Sequence, residues 1–151
     1  MEYNYDDNEY SSLYYGRVKT KNYVIASISK PITIRPNNTI YFDDIEGARS
    51  LKKSISNNIF NIRTKSLVTV IYNFTGNMDS GGYIGILPRL NGNVLKNYIS
   101  QDYSKEGIYS MSASFLLDTN KSKTNYLDFI YIGSDYAKNF NGHVSISTCN
   151  R

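Results

Sequence analysis

The chain has 151 residues, a net charge of +4, 15 tyrosines, six phenylalanines and no tryptophan. It is long enough to bury a core as a single domain, and its aromatic and β-branched residues favour an all-β fold. One cysteine excludes an internal disulfide and a cysteine-based metal site, while the lack of an apolar leader or a bilayer-length segment argues against a signal peptide and membrane insertion.

The charge is unevenly distributed along the chain. Residues 1–16 carry four acidic and no basic side chains, which leaves the remainder strongly basic. We therefore interpret residues 1–18 as an extended acidic arm and residues 19–151 as one domain. The arm is either a disordered terminus or an attachment segment. In the second case its anchors are the tyrosines Tyr3, Tyr5, Tyr10, Tyr14 and Tyr15. The basic residues of the domain are scattered, so no nucleic-acid partner is expected.

The first half of the domain begins with short predicted strands. Residues 23–29 and 32–35 alternate in the manner of strands separated by Pro31, and residues 39–42 follow a Pro-Asn-Asn turn. Residues 43–53 place acidic side chains first and basic side chains last, a pattern that predicts a weak helix. The acidic residues there match no calcium-binding loop.

The stretch from Lys65 to Phe74 is the centre of the predicted fold. Val68, Val70, Tyr72 and Phe74 alternate on one side, and Leu67, Thr69 and Ile71 on the other. Because neither side carries a charge, the strand must be covered twice. With few helices predicted, this favours an antiparallel sandwich whose outer face meets another subunit.

The second half of the domain contains the clearest turn. Residues 75–82 are rich in turn formers and predict a long polar loop, and Pro88 places the next strand, 83–90, at a bulge or an edge. Asn91-Gly92 predicts a tight hairpin. Further strands are predicted at residues 94–99, 107–118, 126–132 and 142–149. About eight to ten short strands indicate a sandwich or a barrel.

The sequence offers no convincing catalytic centre. Asp79-Ser80-Gly81-Gly82 looks like a serine-protease nucleophile loop, but the only histidine, His143, lies downstream of the serine. His143 and Cys149 are six residues apart on one predicted strand, too far for a nucleophile and its base. We predict no enzyme activity, no cofactor and no metal. A pair of carboxylates for sugar hydrolysis stays open, although no two acids stand out.

Five segments together resemble the globular heads of the complement and tumour necrosis factor superfamily. From Ile59 onward they are SLVTVIYNF, LNGNV, SASFLLD, YLDFIYIG and FNGHVSIS. The resemblance implies a ten-stranded jelly roll that forms trimers. The sequence departs from the family where a Gly-x-Tyr-x-Phe pattern is replaced by Ser66, Val68 and Val70. Similar heads occur on viral and phage spikes, and the richness in Asn, Lys, Ile and Tyr is typical of an AT-rich viral genome.

These observations lead to a trimeric jelly-roll protein of a virion surface as the first hypothesis. It would decorate the capsid, attached through the arm, or bind a host receptor or glycan. The predicted oligomer interface consists of Tyr72, Phe74, Phe129 and Tyr131. The alternatives are a monomeric carbohydrate-binding module with exposed tyrosines as stacking platforms and a glycan-degrading enzyme. If the protein is not viral, a cytoplasmic location is expected.

Overall fold

The computed structural model describes residues 22–48, 55–56, 58–62, 66–79, 81–104, 107–119 and 125–150. Strands account for most of these residues. They are β1 Asn22–Ser27, β2 Ile32–Ile34, β3 Asp44–Gly47, β4 Ile55–Ser56, β5 Ile59–Ile62, β6 Ser66–Met78, β7 Gly82–Leu90, β8 Asn93–Val94, β9 Ser100–Ser104, β10 Gly107–Asp118, β11 Asn125–Gly133 and β12 Ala137–Asn150. One 3-10 turn, Lys96–Tyr98, interrupts them, and the described residues include no α-helix. The all-β prediction is confirmed.

The strands form two antiparallel sheets. The first sheet has the order β10-β6-β12-β1-β3, with β2 also pairing with β12. The second has the order β4-β5-β11-β7-β8, with β9 also pairing with β7. Their inner faces share one cluster of buried apolar side chains, so the chain is an antiparallel sandwich, as predicted.

Aromatic side chains from both sheets fill the core. The ring of Tyr72 on β6 lies 5.6 Å from that of Phe129 on β11, which joins the two sheets. Phe74 stacks on Phe140 of β12 with ring centroids 5.4 Å apart, and Tyr131 contacts the same phenylalanine at 5.7 Å. A fully buried side chain of this size stabilises the fold by about 1.5–3 kcal/mol relative to its exposed state.

This core corrects the predicted oligomer interface. Tyr72, Phe74, Phe129 and Tyr131 each expose 0% of their surface within a single chain, so a second copy cannot contact them. The prediction rested on strands that are apolar on both faces, but it selected the faces that the two sheets turn toward each other. The residues available to a partner are those that alternate with them.

The strand β6 extends beyond its predicted end. Residues 75–78 were predicted to be loop, yet they continue the ladder with β10 to the pair Met78 and Gly107. Met78 and Gly76 point inward and are buried, while Thr75 and Asn77 point outward. Strand periodicity therefore persists through a segment whose composition is typical of a turn.

Turn chemistry is confirmed at Asn91-Gly92. The two residues have φ angles of 54° and 82°, and Leu90 pairs with Asn93 across the turn. Pro88 also takes an edge-like position. Its carbonyl accepts a hydrogen bond from Leu95 at 2.9 Å, and its nitrogen faces the same side of β7. On that side, β8 pairs with Arg89 and Leu90, and β9 pairs with residues 82–86. Pro88 therefore has no ladder partner there.

Three predicted elements are wrong within the described residues. The strand predicted at 39–42 is reduced to an isolated bridge between Thr39 and Ile130. A helix was predicted at 43–53, but Asp44–Gly47 form β3, which pairs with β1. The hydrogen bonds of this ladder stabilise the segment more than its weak helix propensity would. The strand predicted at 94–99 is only two residues long before the 3-10 turn, and the unpredicted β9 follows it.

β12 contains a bulge and, besides its ladder with β6, pairs with two strands, β2 and β1, along its length. The register with β6 shifts between Lys138 and Asn141, and the register with β2 shifts between Ala137 and Phe140. From His143 onward, β12 pairs with β1. Gly142 lies directly after the shift with a φ of +152°. A Cβ atom there would collide with the carbonyl oxygen of Asn73 and approach the Phe74 ring to 2.6 Å. Only glycine fits this position without strain.

Candidate assembly face

The outward surface of β10, β6, β12 and β1 is the candidate functional site, and we call it the assembly face. On β6, the outward side chains are those that alternate with the core residues. Exposed large apolar side chains mark this face, with Leu67 39%, Ile71 44%, Leu116 57% and Ile108 77% exposed. Tyr23 on β1 adds a ring that is 45% exposed.

Cross-strand register brings the apolar residues into neighbouring rows. Thr69 lies opposite Leu116 on one side and Ser147 on the other, and Ser147 in turn lies opposite Tyr23. In the next row, Ile71 lies between Ser114 and Ser145. Small hydroxyl side chains therefore lie between the apolar side chains across the sheet. Such a surface is flat, because no long side chain stands out from its middle.

The assembly face carries almost no charge. Among the described outward residues of its four strands, only Asp118 and Lys138 carry a formal charge, and they occupy opposite ends of the sheet. The remaining polar positions are serine, threonine, asparagine and one histidine. Depletion of charge beside exposed aliphatic side chains is typical of the centre of a protein interface.

The outer face of the second sheet differs in its electrostatics. Arg89 on β7 and Asp128 on β11 form a two-pronged ion pair there, with nitrogen-to-oxygen distances of 3.0 and 2.5 Å. The hydrogen bond to Asp128 raises the pKa of Arg89 above its usual range. A permanent charge pair in the middle of a sheet face suits contact with water, so the two outer faces of the sandwich are not equivalent.

The residues considered for catalysis are placed as follows. His143 and Cys149 both lie on the assembly face, where they pair in register with Asn73 and Leu67 respectively, well separated along β12. They do not form a nucleophile and base pair. Ser80 lies outside the described residues.

The described part of the chain contains no group of three or more histidine, cysteine or acidic side chains that could hold a metal ion. It also has no helix long and apolar enough to cross a membrane.

The predicted attachment residues cannot be placed. Tyr3, Tyr5, Tyr10, Tyr14 and Tyr15 lie outside the described residues, as does the predicted boundary between arm and domain at residue 18. The sequence predicted that an outer face of the sandwich meets another subunit, but the predicted interface residues were taken from the wrong side of the central strand. Leu67, Thr69 and Ile71 alternate with the core positions of the central strand, and an uncharged outward face on an antiparallel sheet is the feature that identifies them.

The fold is shared with solved structures of other proteins. The globular domain of a zebrafish complement 1qA protein matches with a TM-score of 0.66 and 9% identity, over 87% of this chain and 99% of that one. The PRD1 vertex protein P5 matches with a TM-score of 0.53 and 11% identity, over 88% of this chain and 100% of that one. No protein-family model and no curated protein matches the sequence. The chain therefore has the jelly-roll fold of the complement globular heads, as the sequence resemblance implied.

Proposed function

We propose that the protein is a non-enzymatic structural and binding protein that forms a homotrimer through the assembly face and acts on a virion surface. The observation that carries this proposal is the assembly face, the partly aliphatic outer surface of β10, β6, β12 and β1, whose middle carries no charge. Two further points support it. The fold is that of the complement heads, whose superfamily suggested trimers from the sequence, and the fold is also found in a vertex protein.

A second copy of the chain is the occupant that best fits this face. Copies of a chain with a net charge of +4 repel each other in general, and least where the surface carries no charge. Around a three-fold axis, the residues nearest the axis meet their own copies, and the uncharged middle of this face would bring no like charges together there. Side chains such as Ile71 and Leu116 would lose water on assembly without leaving any charge unpaired.

The test is the mass in solution. Light scattering at micromolar concentration should give three chain masses for the full chain. Leu67→Glu places a charge in the proposed interface and should give one chain mass with an unchanged circular dichroism spectrum.

Val94→Glu is the matched control. Val94 is 40% exposed, nearly the same as Leu67, but it lies on β8 of the second sheet. This variant should remain trimeric. A wild-type protein of one chain mass, or loss of assembly in both variants alike, would contradict the proposed interface.

The remaining part of the proposal concerns attachment and binding. The acidic arm of residues 1–18 would tie the trimer to another virion protein, with its tyrosines as anchors. The sandwich would then either decorate the particle or present a binding surface to a host receptor or glycan.

A further inference from the structure

The end of the sandwich away from the first and last described residues carries two exposed tyrosines, Tyr103 and Tyr136, and we call it the distal end. Asn22 pairs with Thr148, and Ser66 with Asn150, so the first and last described residues lie at the other end. The far end of β6 pairs with the start of β10, and the start of β7 pairs with β9 and with the end of β11. The strand ends at Met78, Gly82, Ser104, Gly107 and Gly133 therefore lie at the distal end.

Arg35 and Tyr136 form a pair at this end. They follow and precede the cross-strand partners Ile34 and Ala137, which brings them side by side. The Arg35 Nε donates a hydrogen bond of 3.1 Å to the Tyr136 hydroxyl, and its guanidinium carbon lies 5.9 Å from the centre of the Tyr136 ring. The ring is 45% exposed. Among the described residues, Arg35 forms no ion pair with an acid.

The turn that carries Tyr136 is held in place by hydrogen bonds. The buried Tyr131 hydroxyl donates to the carbonyl oxygen of Asp135 at 2.7 Å. Ser134 N donates to the Tyr83 carbonyl at 2.9 Å, and Tyr83 N donates to the Ser134 hydroxyl at 3.1 Å. Tyr136 N donates to the Asp135 side chain at 2.8 Å. A ligand that binds here would not have to order the turn, which reduces the entropic cost of binding.

A second aromatic pair lies on the other side of the same turn. Tyr83, whose backbone bonds to Ser134, contacts the ring of Tyr103 at 5.7 Å between centroids, and Tyr103 is 76% exposed. The distal end thus offers rings on both sides of a fixed turn. Each ring combines an apolar face with a hydroxyl at its edge.

The chemistry of the pair selects the ligand. A guanidinium whose Nε is already oriented keeps its terminal NH2 groups for a carboxylate, which it recognises with two parallel hydrogen bonds. The exposed Tyr136 ring beside it can pack against the C–H face of a sugar. The nearby Lys138 is paired with Asp79, whereas Arg35 forms no ion pair among the described residues and is therefore available to a ligand.

From this geometry we propose that Arg35 and Tyr136 form a binding site for a sugar that bears a carboxylate. The inference deepens the proposed binding role and rests on it, but the site lies within one chain and does not require the trimer. A protein partner fits less well, since a stable protein interface buries about 800 Å² on each side around an apolar centre. Here Ser134 and Asp135 separate the two aromatic pairs.

The experiment is a nuclear magnetic resonance titration of the full chain with 3′-sialyllactose and, as the uncharged probe, lactose. A single exposed site should bind sialyllactose with a Kd on the order of 1 mM, whereas a trimer should bind a surface that carries many copies of the sugar more tightly through multivalency. Lactose should bind at least ~10-fold more weakly, because it lacks the sugar residue that bears the carboxylate. Rising salt should weaken sialyllactose binding.

Three variants locate the site. Arg35→Gln and Tyr136→Ala should each weaken sialyllactose binding by ~10-fold or more, as loss of a charge-assisted bond predicts. Tyr126→Ala is the matched control, since Tyr126 is 46% exposed on β11 and lies at the opposite end beside the Asn91-Gly92 turn. It should bind like the wild type. If Tyr136→Ala does not fold, Tyr136→Phe, which removes only the hydroxyl that holds Arg35, gives the same comparison.

The proposal is overturned if sialyllactose does not bind, if lactose binds equally well, or if Arg35→Gln binds like the wild type. Light scattering on the same samples separates this result from the assembly proposal. A monomeric wild-type protein that binds sialyllactose through Arg35 would refute the trimer and support the site. A trimer that binds neither probe would support the trimer and refute the site.

Discussion

At the scale of single residues, Gly142 has the clearest structural requirement. Its φ of +152° disfavours any side chain, and an added Cβ would collide with the backbone of β6. Gly142→Ala should therefore lower the free energy of unfolding by about 1–3 kcal/mol or more through backbone strain and the displaced strand. Chemical denaturation measures this change.

Gly92→Ala is the comparison for that prediction. Gly92 also has a positive φ, of 82°, but a Cβ there would meet nothing within 4 Å. The substitution should cost only the backbone strain of the turn, about 1 kcal/mol. If the two variants lose equal stability, the close approach at the β12 bulge does not constrain the fold as described.

Two buried tyrosine hydroxyls should make the protein sensitive to alkali. Burial raises the pKa of Tyr72 to about 12 and that of Tyr131 to about 12. A tyrosine in the unfolded chain ionises near pH 10. As the pH rises, the unfolded state therefore ionises before the folded state, which favours unfolding. The contribution of each neutral hydroxyl to stability is fully present below about pH 10 and is lost as the pH rises toward 12.

The measurement is thermal unfolding between pH 8 and pH 11.5. The melting temperature of the wild type should fall above about pH 10. Tyr72→Phe should lower the melting temperature at neutral pH, because it removes the hydrogen bond of 2.6 Å from the Tyr72 hydroxyl to the Tyr98 carbonyl. The melting temperature of this variant should then fall less steeply with rising pH than that of the wild type. An identical alkaline slope in wild type, Tyr72→Phe and Tyr131→Phe would show that other groups control it.

At the scale of elements, neighbouring positions on β6 should respond in opposite ways. Tyr72 points into the core and Ile71 points outward on the assembly face. Tyr72→Asp buries an unpaired charge and should prevent folding. Ile71→Asp should leave a folded chain whose mass falls from three copies to one. Circular dichroism and light scattering distinguish the two results, and a folded trimer of Ile71→Asp would contradict the proposed interface.

Local patterns predicted some elements well and failed where the structure depends on distant partners. The 12-residue strand Gly107–Asp118 was predicted at its observed bounds, and Asn91-Gly92 fixed its hairpin, because alternation and positive φ are local properties. The strand Asp44–Gly47 was predicted as helix, since its stabilising ladder with β1 cannot be read from its own residues.

The same limit applies to the candidate sites. Period-two alternation separates the two faces of β6, but only the position of the second sheet decides which face becomes the core. Tyr72 and Phe74 were therefore assigned to the interface when they belong to the interior. The Arg35 and Tyr136 pair joins residues that are 101 positions apart, so no motif in the sequence could indicate it.

At the scale of the whole molecule, the acidic arm should be dispensable for the fold. Its tyrosines lack the alternation of a core strand, and contacts between exposed charges contribute only about 0–1 kcal/mol each. Deletion of residues 1–18 should leave the melting temperature and the mass in solution nearly unchanged while abolishing incorporation into the particle. A truncated chain that cannot fold would show that these tyrosines belong to the sandwich or to its interface.

The exposed aliphatic side chains of the assembly face also tie stability to the amount of protein present. If Leu67, Ile71 and Leu116 are covered only when copies meet, the last gain in stability comes from a reaction between molecules, and mass action governs it. The melting temperature should then rise as the protein concentration is raised from 1 to 100 μM, whereas the Leu67→Glu variant should melt at one temperature throughout. Such a protein would reach its full stability only at a concentration high enough for its copies to assemble.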